Sequence, residues 1–397
     1  MCGREGGRPI MKYGSEGNVS RDAVHLTVVV GILLSIGLAL LFSASAVTCE
    51  ANARFADPHH FLRKQILWMA VAGIGFLVAS RVPTSFWMRA RLPLLLAAAA
   101  LLALVFVPGV GATINGARRW LRFGGFFMQP SEVAKLALAV FLCGFAAADA
   151  ERLKSFARGF VPMFVATGWI CGLVVIEPDV GTAAFIGATS VVLMAVAGAR
   201  WVHLLPTCGA GAAAAAVLVA FRMEHFQRRL AEWWSGTGYQ LQQSLVALGA
   251  GGLWGEGLGR GTQKLYFLPE VHSDFIFAVL GEEVGFIGTC GALVLFAAFG
   301  VVGWRIARRA STAFGRLLAF VLTFQVLLQA AMNVAVVTGL VPTKGIPLPF
   351  FSFGGSSLCI TMAAVGILVR IANESERGAT CESASPAAVP AVTCSRG

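Results

Sequence analysis

Charge is scarce in this chain. Of its 397 residues only 13% are Asp, Glu, Lys or Arg, against about 25% in ordinary globular proteins. Several apolar runs of roughly 20 residues contain no charge at all, which a soluble core helix seldom manages. Disulfide and zinc signatures are missing too. The nine cysteines form no C-x-x-C pair, their count is odd, and five lie inside apolar runs as small fillers. The glycine-rich run 249–261 fits neither G-x-G-x-x-G nor a P-loop, so no nucleotide site follows from it. There is no tandem soluble repeat. The net charge of +11 would suggest nucleic acid in a soluble protein. Here the basic residues fall in short segments between apolar runs, where they set topology and attract anionic lipid instead.

What is present, at 57% hydrophobic residues, is the material of an all-α polytopic membrane protein. A hydrocarbon core of about 30 Å takes about 20 helical residues. Ten such spans are expected, near 23–47, 63–80, 92–108, 130–148, 160–176, 180–198, 201–221, 274–302, 316–338 and 353–372. Ala44-Ser45-Ala46 resembles a signal-peptidase site, but its apolar run is too long for a typical signal peptide, so the first span reads as uncleaved. Ten spans put both chain ends on one side. Placing them inside leaves 18 of the 31 Lys and Arg in the cytoplasm, the side that positive charge favours. Residues 1–22 then read as a disordered cytoplasmic N-tail, 23–372 as the transmembrane domain and 373–397 as a disordered cytoplasmic C-tail. One long extracytoplasmic loop, 222–273, separates spans seven and eight.

Polar features gather on the outer side. His272, Ser273 and Asp274 sit where that loop meets span eight, and Glu282 and Glu283 lie inside the span. A carboxylate in hydrocarbon is costly and usually faces a cavity or a partner. Asp274 suits a general base or charge stabiliser at a cavity mouth; the same position suits a helix N-cap. Glu282, about 12 Å further along a helix and within about 80° of the same direction, is placed to flank that cavity. Glu132 and Lys135, at i and i+3 near the start of span four, either neutralise one another or line the cavity with Asp274. Arg118, Arg119 and Lys344, with Arg260 and Lys264, put positive charge outside, as a phosphate or pyrophosphate ligand would require and as lipid headgroups would also attract. Thr343, Ser352, Ser356 and Ser357 offer hydroxyl donors. Glu177 and Asp179 make a two-carboxylate turn. Such a turn is more often a tight connection than a site for a divalent cation such as Mg²⁺ or Mn²⁺, and no metal ligand or other cofactor is assigned. The residues alone define an outward-facing cavity for an anionic, lipid-linked ligand, in either an enzyme or a transporter.

Six stretches carry a resemblance: GARRW at 116–120, QPSEVAKL at 129–136, PDVGTA at 178–183, GYQLQQSLVALGAGGLWGEGLG at 238–259, QKLYFLPEVHSDFIFAVLGEE at 263–283 and GLVPTKGIPLPFFSFGGSS at 339–357. In this order they resemble the SEDS family, and most of all its cell-division branch rather than its elongation or sporulation branches. The resemblance implies a peptidoglycan glycosyltransferase that polymerises lipid II at the outer face of the bacterial plasma membrane, at the division septum. It implies a class B penicillin-binding transpeptidase and other division membrane proteins as partners, and no nucleic acid. The family's essential aspartate matches Asp274, and the Glu and Lys of its fourth-span motif match Glu132 and Lys135. Two positions depart from the pattern: Glu177 replaces a usual Gln, and Ser273 a usual Thr. A lipid II flippase and a non-catalytic scaffold for the transpeptidase are the rival readings.

Overall fold

A computed structural model describes residues 19–51, 60–114, 117–123, 126–149, 151–222, 224–262, 272–343 and 345–383. Lys344 and Lys264 lie outside the described residues. The chain is a helical bundle. Without water to satisfy backbone groups in hydrocarbon, each apolar run closes its own hydrogen bonds as a helix. Ten helices follow the ten expected spans: α1 (Arg21–Ala51), α2 (His60–Arg81), α4 (Arg91–Leu104), α5 (Pro130–Ala148), α6 (Val161–Ile176), α7 (Val180–Val196), α8 (Trp201–Arg222), α11 (Ile276–Arg309), α12 (Ala313–Val337) and α13 (Gly355–Ser383). Three shorter helices join them: α3 (Thr84–Arg89), α9 (Glu224–Trp234) and α10 (Tyr239–Ala250). Seven of the thirteen contain stretches long and apolar enough to cross a membrane, and α4 and α7 are shorter apolar helices.

Local chemistry sets the boundaries. Pro130 stands in the first turn of α5, where its missing N–H costs nothing. Asp179 caps α7 by accepting from the Thr182 N–H, and Thr312 caps α12 by accepting from the Gly315 N–H. The enclosed helix is α5, buried continuously from Ala134 to Val140 between α4, α7 and α12. By contrast Ile74, Leu77 and Val78 of α2 are exposed, as a lipid-facing side should be. The Ser20 N–H donates to Asn373 Oδ1 at 2.9 Å. Buried Asp22 pairs with Arg305 at 3.3 Å and Arg309 at 2.8 Å. These contacts gather the start of α1 and the ends of α11 and α13 at one end of the bundle.

Three features add to or depart from the expectation. Beside the helices, β1 (Gly111–Ile114), β2 (Ala117–Phe123) and β3 (Phe126–Met128) form a small antiparallel sheet in the order β1-β2-β3. The segment joining α4 to α5 satisfies its backbone by pairing its own strands. The loop 222–273 is not a plain loop, because its first half holds α9 and α10. Finally, α13 continues to Ser383, past the expected start of the C-tail.

The glycine run also has a packing role. Helix α11 breaks at Gly285, whose φ of 75° and ψ of −168° lie outside the helical region. The freed backbone is taken up by the run: Glu256 N–H donates to Glu282 O, Gly257 N–H to Glu283 O, and Phe286 N–H to Gly252 O. A β-carbon at Gly285 would stand 2.3 Å from Gly255 N, and one at Gly251 would stand 1.9 Å from Gly281 O. Only glycines allow two backbones this close.

Candidate active site

The site lies at the opposite end of the bundle from the Ser20–Asn373 contact, and it begins with α5. Its first turns carry Glu132 and Lys135, both buried, with Nζ 2.9 Å from Glu132 Oε2. Lys135 Nζ also donates to Gln329 Oε1 of α12 at 3.1 Å and stands 5.0 Å from the centre of the Phe185 ring on α7. The pair is therefore more than a self-contained i, i+3 bridge. Gln329 passes the connection on, its Nε2 donating to Pro347 O at 2.9 Å.

Asp274 arrives from another direction. Helix α11 starts at Ile276 with Phe275 in the cap position, so Asp274 does not cap it. Its backbone is held instead by Asn333 of α12, whose Nδ2 donates to both Asp274 O and Ile346 O, each at 2.8 Å. The Phe353 N–H donates to His272 O at 2.8 Å, tying the same two segments together again. A β-carbon on Gly345 would lie 2.9 Å from Asp274 Oδ2, so the carboxylate rests against that glycine. Gly345 in turn lines a small cavity with Gln129, Glu132, Lys135, Phe185 and Gln329. Three segments far apart in sequence thus meet at Gly345, which has Asp274 against it and shares a cavity with the Glu132–Lys135 pair.

The α6–α7 turn closes another side. Asp179 accepts from Gln129 Nε2 at 3.0 Å and from Thr182 Oγ1 at 2.8 Å, and Arg119 Nη1 stands 4.0 Å away. Neighbouring strand residues point to opposite faces, and the two arginines of β2 obey this. Arg119 reaches Asp179, while Arg118 Nη2 turns back to Val107 O at 2.8 Å. Among the described residues no group of three or more His, Cys, Asp or Glu is arranged to hold a metal ion. Ser356 Oγ accepts from the Gln129 N–H at 3.4 Å; Ser357 follows it, half-buried, in the first turn of α13.

Glu282 is placed differently from the expectation. It is fully buried, and its Oε1 accepts from the Thr262 N–H at 2.6 Å and Thr262 Oγ1 at 3.1 Å. Glu283 accepts from Ser43 Oγ of α1. Both carboxylates anchor the segments beside the α11 break. The helical angle counted from Asp274 does not hold, because Asp274 precedes the helix. Four residues at this site are not among the expected candidates. Gln129, Gln329 and Asn333 are neutral amides; the last two, at i and i+4 in an apolar span, are the signal that was there to find. The fourth is Arg229 of α9, whose Nη1 lies 3.4 Å from Thr343 O. Burial and then the nearby Arg119 charge lower its pKa, against the pull of Asp274 and Glu232.

Residues 24–377 match the cell cycle protein family of FtsW, RodA and SpoVE. The chain belongs to this family. Family relatives include a probable peptidoglycan glycosyltransferase FtsW of Trichlorobacter lovleyi, 40% identical over 88% of this chain and 92% of the relative. A protein of the same name from a Geobacter species is 41% identical over 86% and 94%. The stage V sporulation protein E of Bacillus subtilis is 39% identical over 88% and 96%. Among solved structures of the family's fold, a chain described with the coordination of polymerization and crosslinking by a peptidoglycan synthase complex superposes with a TM-score of 0.72. It is 26% identical and covers 88% of this chain and 97% of that one. The rod shape determining protein RodA of Thermus thermophilus superposes with a TM-score of 0.66 at 27% identity, covering 88% and 96%.

Proposed function

We propose that this protein is a peptidoglycan glycosyltransferase that polymerises lipid II at the outer face of the bacterial plasma membrane, for septal wall synthesis. The observation that carries this reading is the Asp274 carboxylate resting against Gly345, which itself lines a cavity with the buried Glu132–Lys135 pair. Asp274 accepts the proton from the 4-hydroxyl of the acceptor sugar as that oxygen attacks the anomeric carbon of the donor glycan, and undecaprenyl pyrophosphate leaves. A positioned general base contributes about 10²–10⁴ in rate. The departing pyrophosphate needs positive charge. Arg229 feels the Asp274 charge, Arg119 stands beside Asp179, and Lys344 precedes Gly345 in sequence. A single placed carboxylate as base, rather than a pair flanking the bond, fits a transferase better than a two-carboxylate hydrolase.

The chain works in the multi-pass arrangement expected from its basic residues, with both termini cytoplasmic and the catalytic end outside. A class B transpeptidase crosslinks what it makes, and other division membrane proteins bring both to the septum. The test uses the purified protein with its transpeptidase and labelled lipid II in detergent, where transport cannot be scored. Glycan ladders that disappear in Asp274→Asn are expected. No ladders from a confirmed complex would overturn the reading in favour of a flippase or scaffold.

A further inference from the structure

The reaction above leaves one buried group unused. Glu177 ends α6 and is completely buried. Neither of its carboxylate oxygens has a hydrogen-bond partner, and the Nε of Arg119 is also buried without one. Asp179, two residues on, has taken Gln129 and Thr182 as donors and holds Arg119 at the outer limit of pairing, 4.0 Å. One guanidinium therefore stands among two carboxylates and is fully engaged by neither. Asp179 repels a charge on Glu177 and Arg119 attracts it; the Arg119 charge is also felt by Arg229.

A buried carboxylate with no donors is costly, so the group is driven to its neutral form. Burial, followed by Asp179, pushes the Glu177 pKa up to about 8 against the pull of Arg119.

We propose that Glu177 is a positioning residue that works as a neutral acid, leaving the Arg119 charge to Asp179 and to an anionic substrate, and that its ionisation draws Arg119 away from both. This rests on the polymerase reading above and adds a source of pH dependence to it. The sign follows from the charges. Below about pH 8 Glu177 is neutral and Arg119 is shared by Asp179 and substrate. Above it, two carboxylates divide one guanidinium, and the pyrophosphate-linked substrate loses its counter-charge. Asp274 is untouched, and the pyrophosphate is already charged in the bound substrate, so the change appears in KM as well as in kcat.

Glutamine has the same shape and cannot ionise, so Glu177→Gln isolates the charge. The apparent KM for lipid II of the native chain, with its transpeptidase, is expected to rise about tenfold from pH 7 to pH 9, the effect of one charge within contact range of another. In Glu177→Gln it should change less than about twofold. A second readout is independent of catalysis: the pH-difference infrared spectrum. The native protein should lose a carboxylic-acid carbonyl band over the same interval and Glu177→Gln should not. Identical KM profiles, or no band lost, overturn the proposal. A band difference in a protein that makes no glycan would instead overturn the polymerase reading and leave the charge state of Glu177 standing.

Discussion

Replacing Glu132 by Gln would test the centre of the site. The two oxygens become an oxygen and an amide, with almost no change in volume. What changes is charge: Lys135 Nζ loses the carboxylate 2.9 Å away and keeps Gln329 Oε1 at 3.1 Å and the Phe185 ring at 5.0 Å. Glu132 is 5% exposed and Lys135 8%, so water does little to replace the lost partner. Breaking a buried pair from one side costs about 3–5 kcal/mol, because it strands the other charge. The remaining amide and ring put the expected loss at the lower end, about 3 kcal/mol. Glu132→Gln with Lys135→Met removes both charges and leaves chiefly Gln329 Oε1 unpaired, a loss of about 1–2 kcal/mol. Thermal unfolding of the purified protein in detergent, followed by tryptophan fluorescence, should therefore rank native, double variant and single variant in falling order. Glycan ladders from labelled lipid II should be lost in both variants, since the charge pair lining the cavity is gone in each. A single variant as stable as the native protein would refute the reasoning, and so would a double variant that merely sums the losses of its two parents.

Two further substitutions probe the supports of the site. Asn333→Leu strips both carbonyls, Asp274 O and Ile346 O, of their shared donor. It should cost about 1–3 kcal/mol and at least an order of magnitude in polymerisation, measured by thermal unfolding and ladder assay together. Gly255→Ala would place a β-carbon 2.3 Å from Glu283 O at a φ of +79°. It should reopen the join between the glycine run and the α11 break, read as a lower unfolding temperature and faster proteolysis between residues 250 and 262.

Much of the molecule was legible before folding, for reasons that are local. An apolar run of about 20 residues has one outcome in a bilayer, so a helix stands at each of the ten expected spans, although α11 and α13 run on past the expected ends. The Glu132–Lys135 bridge follows from the i, i+3 geometry of a helix whose start is marked by Pro130. Asp274 was conspicuous because it borders a costly environment, and the order of motifs pointed to the family. Tertiary structure decided the rest, because it depends on segments meeting that share no sequence neighbourhood. Arg118 and Arg119 are alike as letters, yet the strand turns one to Val107 and the other to Asp179. Glu282 looked like a second cavity carboxylate, but the break at Gly285 and the returning glycine run gave it Thr262 instead. Asn333 and Gln329 carry no charge to attract notice. They matter only because α12 stands between the α5 ion pair, the Asp274 backbone and residues 346–347, where neutral amides can bond to each. The burial of Glu177 was equally out of reach, since it depends on how the helices close around the α6–α7 turn.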